Sequence, residues 1–164
     1  MILPVSRQIR ETLGAGNIEN MGRSEIDTTY LRRCIKTLEH ALAALRAHGS
    51  EDDVLYDIYR AACVKEFELV LEQSGKLLKK RLRPWFASNR EADRLAFKDV
   101  FRHAANHGLI PAAACERWLE YRDNRNDTAH DYGAGFAEAT LKLLPRFVDD
   151  ARKVADVIEE NGDG

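Results

Sequence analysis

The sequence predicts an all-α, up-and-down bundle of about five helices, and three observations lead to this fold class. Apolar residues recur three or four positions apart over most of the chain, turn residues separate these periodic segments, and no segment has the pattern of a strand. The 164 residues, 45% of them hydrophobic and 32% charged, are enough for one domain with its own core.

The first two helices are predicted from their periodicity and from the residues at their ends. Apolar positions three or four apart run from Thr28 to Ala47, and His48 and a glycine stop the pattern. Asp52 and Asp53 can cap a second, longer helix that continues towards Pro84. The end of this helix is basic, with Lys76, Lys79, Lys80, Arg81 and Arg83. Positive charge there complements the helix dipole, and a groove for RNA is the alternative interpretation.

Three further helices complete the predicted bundle. Ser88 and the glutamate three residues later form a capping box, which opens a third helix that ends at Gly108. Pro111 suits the first position of a fourth helix. A fifth helix is predicted from residue 136 to about residue 158, and Pro145 should kink it or split it near Leu144.

The domain organisation predicted is simple. A single domain covers residues 27–160, after a poorly defined lead-in at 1–26 and before a flexible tail at 161–164.

The three cysteines are far apart and lack the spacing of a zinc site or a disulfide framework, so we expect buried thiols in a reducing cytoplasm. No signal peptide or membrane-spanning run is found, and no metal or cofactor is expected. We therefore expect a cytoplasmic protein without membrane contact.

The net charge of −2 and the isoelectric point near 6.2 argue against a broad basic field for nucleic acid, so any RNA contact should be local.

The end of the fourth helix carries the candidate site. A helical projection predicts a solvated face on one arc, which carries Arg117, Glu120, Asn124, Asp127, Thr128 and Asp131. The opposite, otherwise apolar arc carries a second polar set if the helix persists: Arg122, Arg125, Asn126, His130 and Tyr132. Polar groups on an apolar face are costly unless they are paired or face a cleft or an interface. Either Asn126 and His130 hydrogen-bond to each other and Arg125 pairs with a carboxylate, or these residues form an active site.

The chemistry that fits such an active site is metal-independent cleavage of RNA. His130 can take a proton from a ribose 2′-hydroxyl or give one to the leaving oxygen. Arg125 can clamp the charge that develops on the phosphate, and Asn126 can hold the histidine or the substrate. Since one histidine cannot easily be both acid and base, a symmetric dimer that apposes two such helices is expected.

The spacing of Arg125 and His130 is weak evidence taken alone. Arg102 and His107 have the same spacing, but no tyrosine stands two positions after that histidine, and His103 and His107 are expected in or beside the core. Requiring a tyrosine where Tyr132 stands makes a chance match roughly thirty-fold rarer.

Several landmarks together resemble the HEPN proteins of MNT/HEPN toxin–antitoxin pairs, which are also called nucleotidyltransferase substrate-binding proteins. They are the Arg-x4-His-x-Tyr motif, Phe67-Glu68 followed by Glu72 and Lys76, Gly108-Leu109-Ile110, and Trp118 seven residues before Arg125. The resemblance covers about residues 28–158 and implies a homodimeric helical bundle of the HEPN type.

The resemblance also implies a function, namely the toxin of a type VII-like module with a ribonuclease site at Arg125 and His130. Asn126 occupies the polar position that usually follows the arginine. A minimal nucleotidyltransferase antitoxin would transfer AMP to Tyr132 and silence the toxin, and the two proteins could join in a higher oligomer. A non-catalytic nucleotidyltransferase substrate-binding subunit is the alternative. Glu68 and Arg122 are candidate supporting residues, although a surface pair between glutamate and lysine would also explain the spacing of Glu68, Glu72 and Lys76.

One position departs from the family pattern. Gly75 stands just before Lys76, where the family typically has an aromatic residue. Because a glycine inside a helix costs about 1 kcal/mol relative to alanine, we expect altered packing or a break in the second helix there.

Overall fold

The computed structural model describes residues 25–127 and 134–160, which form six α-helices and no strand. The helices are α1 Thr29–Ala47, α2 Val54–Leu82, α3 Asn89–Asp93, α4 Phe97–Asn106, α5 Ala112–Asp127 and α6 Ala134–Glu159, and a 3-10 turn at Arg83–Trp85 follows α2. The all-α prediction is confirmed. Most of the predicted lead-in, residues 1–24, and the predicted tail at 161–164 lie outside the described residues.

The corner between α1 and α2 is held by polar contacts around the cap of α2. The Asp53 carboxylate accepts a hydrogen bond of 2.9 Å from the backbone N–H of Tyr56, as the predicted capping role requires. His48, which follows the last residue of α1, places its Nε2 2.8 Å from both Asp53 oxygens. These contacts fix the turn from which α2 runs back along α1.

The four long helices alternate in direction along the chain: α1 and α5 run one way, and α2 and α6 run the other way. Near the start of α1, Arg32 contacts Asp156 and Glu159 at the end of α6, and farther along α1 Glu39 contacts Arg152. α6 is therefore antiparallel to α1, and α5 is antiparallel to both α2 and α6 by the contacts described below. This alternation agrees with the predicted up-and-down arrangement.

The predicted third helix is two helices in the structure. Ser88 caps α3 as expected, its hydroxyl accepting a hydrogen bond of 3.2 Å from the backbone N–H of Glu91. The backbone is extended at Ala96, so α4 begins at Phe97 in a new direction. The prediction of one helix was wrong because packing decides here over local propensity: the new direction brings Phe97 against α2.

α6 continues through its proline. Pro145 lies inside the helix and is exposed, whereas Leu144 and Phe147 beside it are buried. The split predicted as one of two outcomes at Leu144 does not occur, because apolar packing on both sides of Pro145 outweighs the loss of one backbone hydrogen bond.

An aromatic cluster forms the centre of the core. Phe67 of α2 packs edge-on against Phe147 of α6, with ring centroids 4.7 Å apart. Trp118 of α5 stacks on Phe101 of α4 at 4.5 Å, and Tyr121 packs edge-on against Phe147 at 4.9 Å. These contacts join four helices, and the rings of α5 pack directly against rings on two of its neighbours, α4 and α6. The cysteines Cys34, Cys63 and Cys115 are buried and unbridged, as predicted.

Candidate functional site

Two arginines of α5 face two glutamates of α2. Arg122 donates a hydrogen bond of 2.6 Å from Nη1 to Oε1 of Glu72, and Nε of Arg125 lies 3.4 Å from Oε1 of Glu68. The higher-numbered arginine meets the lower-numbered glutamate, so the two helices are antiparallel. The surface pairing considered between these glutamates and Lys76 is not formed among the described residues, because arginines of α5 contact both carboxylates; Glu68 also lies 4.0 Å from Lys65.

Arg122 is held from a second side by an aromatic ring. Its guanidinium carbon lies 4.8 Å from the ring centroid of Phe97, a cation–π contact. The same ring packs on Gly75, where an added Cβ would lie 2.7 Å from two ring carbons. Of the two outcomes predicted at Gly75, the break in the helix does not occur, because α2 is continuous there. The altered packing is the contact with Phe97. Phe97 fills the space beside Gly75 on α2.

Arg125 and Asn126 both lie in the last turn of α5. The side chain of Arg125 is 31% exposed and that of Glu68 is 23% exposed, so the pair is half-buried but within reach of a ligand. Asn126 is exposed. His130 and Tyr132 lie outside the described residues, as do Thr128 and Asp131. The segment 128–133 therefore joins two described helix ends, Asp127 of α5 and Ala134 of α6.

The opposite side of α5 is tied to α6 through a buried carboxylate. Arg117 donates two hydrogen bonds of 2.8 Å to Asp150, and the Tyr121 hydroxyl donates a third of 2.6 Å. Burial, followed by the Asp150 hydrogen bond, raises the pKa of Tyr121 above its ordinary value. The phenol thus stays protonated and keeps donating, while Arg146 donates to its oxygen at 3.2 Å.

The face predicted to be solvated is partly an interface with α6. Asn124 donates a hydrogen bond of 3.0 Å from its side-chain amide to the hydroxyl of buried Thr140, and Arg117 contacts Asp150 as described. Of the four members of the predicted set that the structure describes, Glu120 and Asp127 are exposed. The prediction was wrong at Arg117 and Asn124 because a helical projection separates apolar from polar faces but does not show that α6 brings polar partners to the second face. α5 is consequently held on both sides almost to its last turn.

The second Arg and His pair with the same spacing lies elsewhere. Arg102 pairs with Asp99 of its own helix. His103 is half-buried against Phe86, beside the core as expected. The expectation was wrong for His107, which follows the end of α4, is exposed and stacks on Trp85.

Among residues 25–127 and 134–160, no group of His, Cys, Asp and Glu side chains is arranged to hold a metal ion. In the same ranges, no helix has the length and apolar character needed to cross a membrane.

The fold and this site define an all-helical bundle whose fifth helix presents anchored arginines at its end. A family model described as nucleotidyltransferase substrate binding protein like matches residues 28–160, and the chain belongs to this family, as the HEPN resemblance predicted.

One curated relative is a probable ribonuclease HepT of Haemophilus influenzae, which is 31% identical over 98 residues. The match covers 60% of this chain and 66% of the relative, slightly less than two thirds of its length.

Two solved structures share the fold. A Haemophilus influenzae protein, described as having the fold of a substrate-binding domain of a nucleotidyltransferase, has a TM-score of 0.71 and 25% identity and covers 82% of this chain and 100% of its own. A protein of Thermus thermophilus has a TM-score of 0.63 at 23% identity and covers 79% of this chain and 99% of its own.

Proposed function

We propose that this chain is a metal-independent ribonuclease and the toxin of a type VII-like toxin–antitoxin pair. One observation carries the proposal: Arg125 is partly exposed and anchored by Glu68 in the last turn of α5, directly before the segment with His130 and Tyr132. The similarity to a probable ribonuclease supports the same activity.

The proposed reaction is an internal attack in RNA. His130 takes the proton of a ribose 2′-hydroxyl, the oxygen attacks the adjacent phosphorus, and the bond to the 5′-oxygen breaks to leave a 2′,3′-cyclic phosphate. A second His130, from a second copy in a symmetric dimer, gives the leaving oxygen its proton. Arg125 stabilises the charge on the phosphoryl oxygens, and Asn126 orients the histidine or the substrate.

Glu68, Glu72, Arg122 and Phe97 act as positioning residues. Glu68 restrains the guanidinium of Arg125 with an ionic partner at 3.4 Å. Glu72 and the ring of Phe97 hold Arg122 one turn before it, which fixes α5 against α2. A catalytic arginine that is already ordered loses less side-chain entropy when it engages phosphate.

The antitoxin in this proposal is a small nucleotidyltransferase that modifies Tyr132. The phenolic oxygen attacks the α-phosphorus of ATP, the bond to pyrophosphate breaks, and the tyrosine carries AMP. The new phosphate adds negative charge two residues from His130 and can engage Arg125, which would block substrate phosphate.

The decisive experiment is cleavage of end-labelled RNA in EDTA by the purified chain. Arg125→Ala and His130→Ala should each reduce the rate by about 10²–10⁴-fold, while His40→Ala, an exposed histidine on α1, should cleave like the parent. Equal cleavage by parent and His130→Ala, with both proteins folded, would refute the ribonuclease.

Modification is tested separately by intact mass after incubation with the nucleotidyltransferase and ATP. The parent and Tyr30→Phe, which alters an exposed tyrosine, should gain AMP, and Tyr132→Phe should not. AMP on Tyr132→Phe at the parent level would contradict the assignment.

A non-catalytic substrate-binding subunit is the second candidate. It is favoured by the Haemophilus structure described as a substrate-binding domain of a nucleotidyltransferase. This candidate predicts a stable complex with the nucleotidyltransferase and no RNA cleavage under any condition.

A further inference from the structure

One stretch of the chain carries positive charge against the overall balance. Residues 76–107 contain nine lysines and arginines and three aspartates and glutamates, a net charge of +6, in a chain whose net charge is −2. The remaining residues must therefore carry −8. This asymmetry identifies a local electropositive region, which we call the basic end of the bundle: the last turns of α2, the 3-10 turn, α3 and α4.

The structure brings these elements together at one end. Arg83 at the end of α2 donates two hydrogen bonds of 3.0 Å to the Asp93 carboxylate of α3, and Lys79 reaches the Asp93 carbonyl at 3.4 Å. Trp85 of the 3-10 turn stacks on His107 just after α4, with centroids 4.9 Å apart. The charges and the rings therefore share one region of the surface.

Several of these cations have no acidic partner among residues 25–127 and 134–160. Arg83, Lys98 and Arg102 are paired with aspartates. A second group is exposed and forms no ion pair with any described residue: Lys76, Lys80, Arg90 and Arg94. The dipole of α2 does not explain them all, because Lys76 precedes the last turn of α2, and Arg90 and Arg94 lie outside this helix.

An exposed aromatic platform accompanies the charge. Trp85 is 42% exposed, whereas Trp118, the other tryptophan of the chain, is buried. His107 stacks on the Trp85 ring, the His103 ring lies nearly parallel to that of His107, and the guanidinium of Arg81 is 5.5 Å from the Trp85 centroid. Stacked rings beside cations are the arrangement with which proteins bind unpaired bases and their phosphates.

We propose that the basic end binds single-stranded RNA. Lys80 and Arg94 contact phosphates, and bases stack on the platform of Trp85 and His107. Bases within a duplex have no free face for such stacking, so unpaired strands are favoured. The inference rests on the proposed function, because the bound strand is taken to be the RNA that is cut at Arg125. Along α2, the basic end lies about 20 Å from the position of Glu68, which contacts Arg125.

The charge contribution is tested by anisotropy with a labelled single-stranded RNA over a salt series. The double variant Lys80→Gln/Arg94→Gln should bind at least about tenfold more weakly at low salt, and its slope of log affinity against log salt should fall by about 1.4, or about 0.7 per lost contact. The matched control is Arg33→Gln/Lys36→Gln, which removes two exposed cations of α1 that form no ion pair within the described part of the chain. Equal losses in both double variants would overturn the proposal.

The platform is tested by tryptophan fluorescence and by variants of Trp85. RNA should quench the emission of the parent but not that of Trp85→Phe, in which only buried Trp118 emits. Trp85→Ala should bind at least about fivefold more weakly, and Tyr30→Ala, at another exposed aromatic residue, should bind like the parent. Equal affinity of the parent for duplex and single-stranded RNA would also contradict the proposal.

Failure of this inference is distinguishable from failure of the ribonuclease. Arg125→Ala should cut RNA about 10²–10⁴-fold more slowly and keep its RNA affinity. RNA binding that depends on the basic end without any cutting would refute the ribonuclease and support the surface. If Lys80→Gln/Arg94→Gln binds RNA like the parent but loses the nucleotidyltransferase, the surface docks protein and the RNA proposal is wrong.

Discussion

Arg117 of α5 donates two hydrogen bonds of 2.8 Å to Asp150 of α6, and the acceptor carboxylate is 3% exposed. Tyr121 donates a third bond to the same carboxylate. A buried carboxylate is costly unless it is paired, and here its partners come from the helix that carries Arg125. Asp150 therefore secures the scaffold of the candidate site from the side opposite to α2.

Asp150→Ala should lower the free energy of unfolding by about 3 kcal/mol, because it leaves Arg117 and Tyr121 without their shared acceptor. The control is Asp149→Ala, which removes an exposed i,i+4 pair with Lys153 and should cost less than about 0.5 kcal/mol. Denaturant unfolding measures both values. Similar losses in the two variants would show that the network contributes little.

Gly75 and Phe97 should behave as a coupled pair. Gly75→Ala should destabilise the parent by about 1 kcal/mol, since the added methyl displaces the ring and overpacking outweighs the gain in helix propensity. In a Phe97→Ala background the same change should stabilise by up to about 1 kcal/mol. A double-mutant cycle measures the coupling, and additive effects would contradict the contact.

Glu68→Gln should lower kcat of RNA cleavage by about tenfold with a smaller change in KM, because Arg125 loses its ionic anchor while the rest of the RNA-binding surface is unchanged. The melting temperature should stay close to that of the parent, since the pair is partly exposed. Glu116→Gln, at an exposed position of α5, is the control and should leave both kinetic constants unaltered.

The cysteines should resist thiol reagents in the folded protein. Burial raises the pKa of the Cys63 thiol to about 11, and burial also raises the pKa values of Cys34 and Cys115. At pH 8 the thiolate fraction of Cys63 is about 0.1%. Titration with a chromogenic disulfide should detect all three thiols only after denaturation, whereas Ala43→Cys, at an exposed site, should react at once. Rapid reaction of the folded parent would contradict the burial.

Acid should weaken the link between α1 and α6. Hydrogen bonds from Arg32, and then from Thr28, hold the pKa of Glu159 below its ordinary value of 4.5. The carboxylate therefore contributes stability that is fully present above about pH 4.5 and is lost as the pH falls through the lowered pKa. Glu159→Gln should be less stable than the parent at pH 7, and the difference should shrink below about pH 4.5. A difference that is independent of pH would contradict the role of the charge.

Much of the helical framework could be predicted from local signals. The apolar period predicts α1, α2 and α5, and Asp53 and Ser88 lie at the caps that their residue types favour. The break before Phe97 could not be predicted, because its cause is a space beside Gly75, distant in sequence. The sequence shows that Gly75 is unusual inside a helix, but it does not show that Phe97 fills the space beside it.

Part of the candidate site, too, could be predicted from the sequence, and part could not. The helical register predicts that Arg122 and Arg125 share a face, and Glu68 and Glu72 share a stripe. Their pairing required knowledge that α5 lies antiparallel against α2. Arg117 and Asn124 were assigned to solvent because their polar partners, Asp150 and Thr140, belong to a helix whose placement no local pattern reveals.

The contact between Gly75 and Phe97 has a consequence for how this sequence can diverge. Any larger residue at 75 meets the ring, and loss of the ring leaves a gap beside α2 and frees one side of Arg122. A larger residue at 75 is costly while the ring is present, so the order of substitutions matters: the residue at 97 must become smaller first, or both changes must come together. A lineage that returns an aromatic residue to α2 should therefore carry a smaller residue at 97.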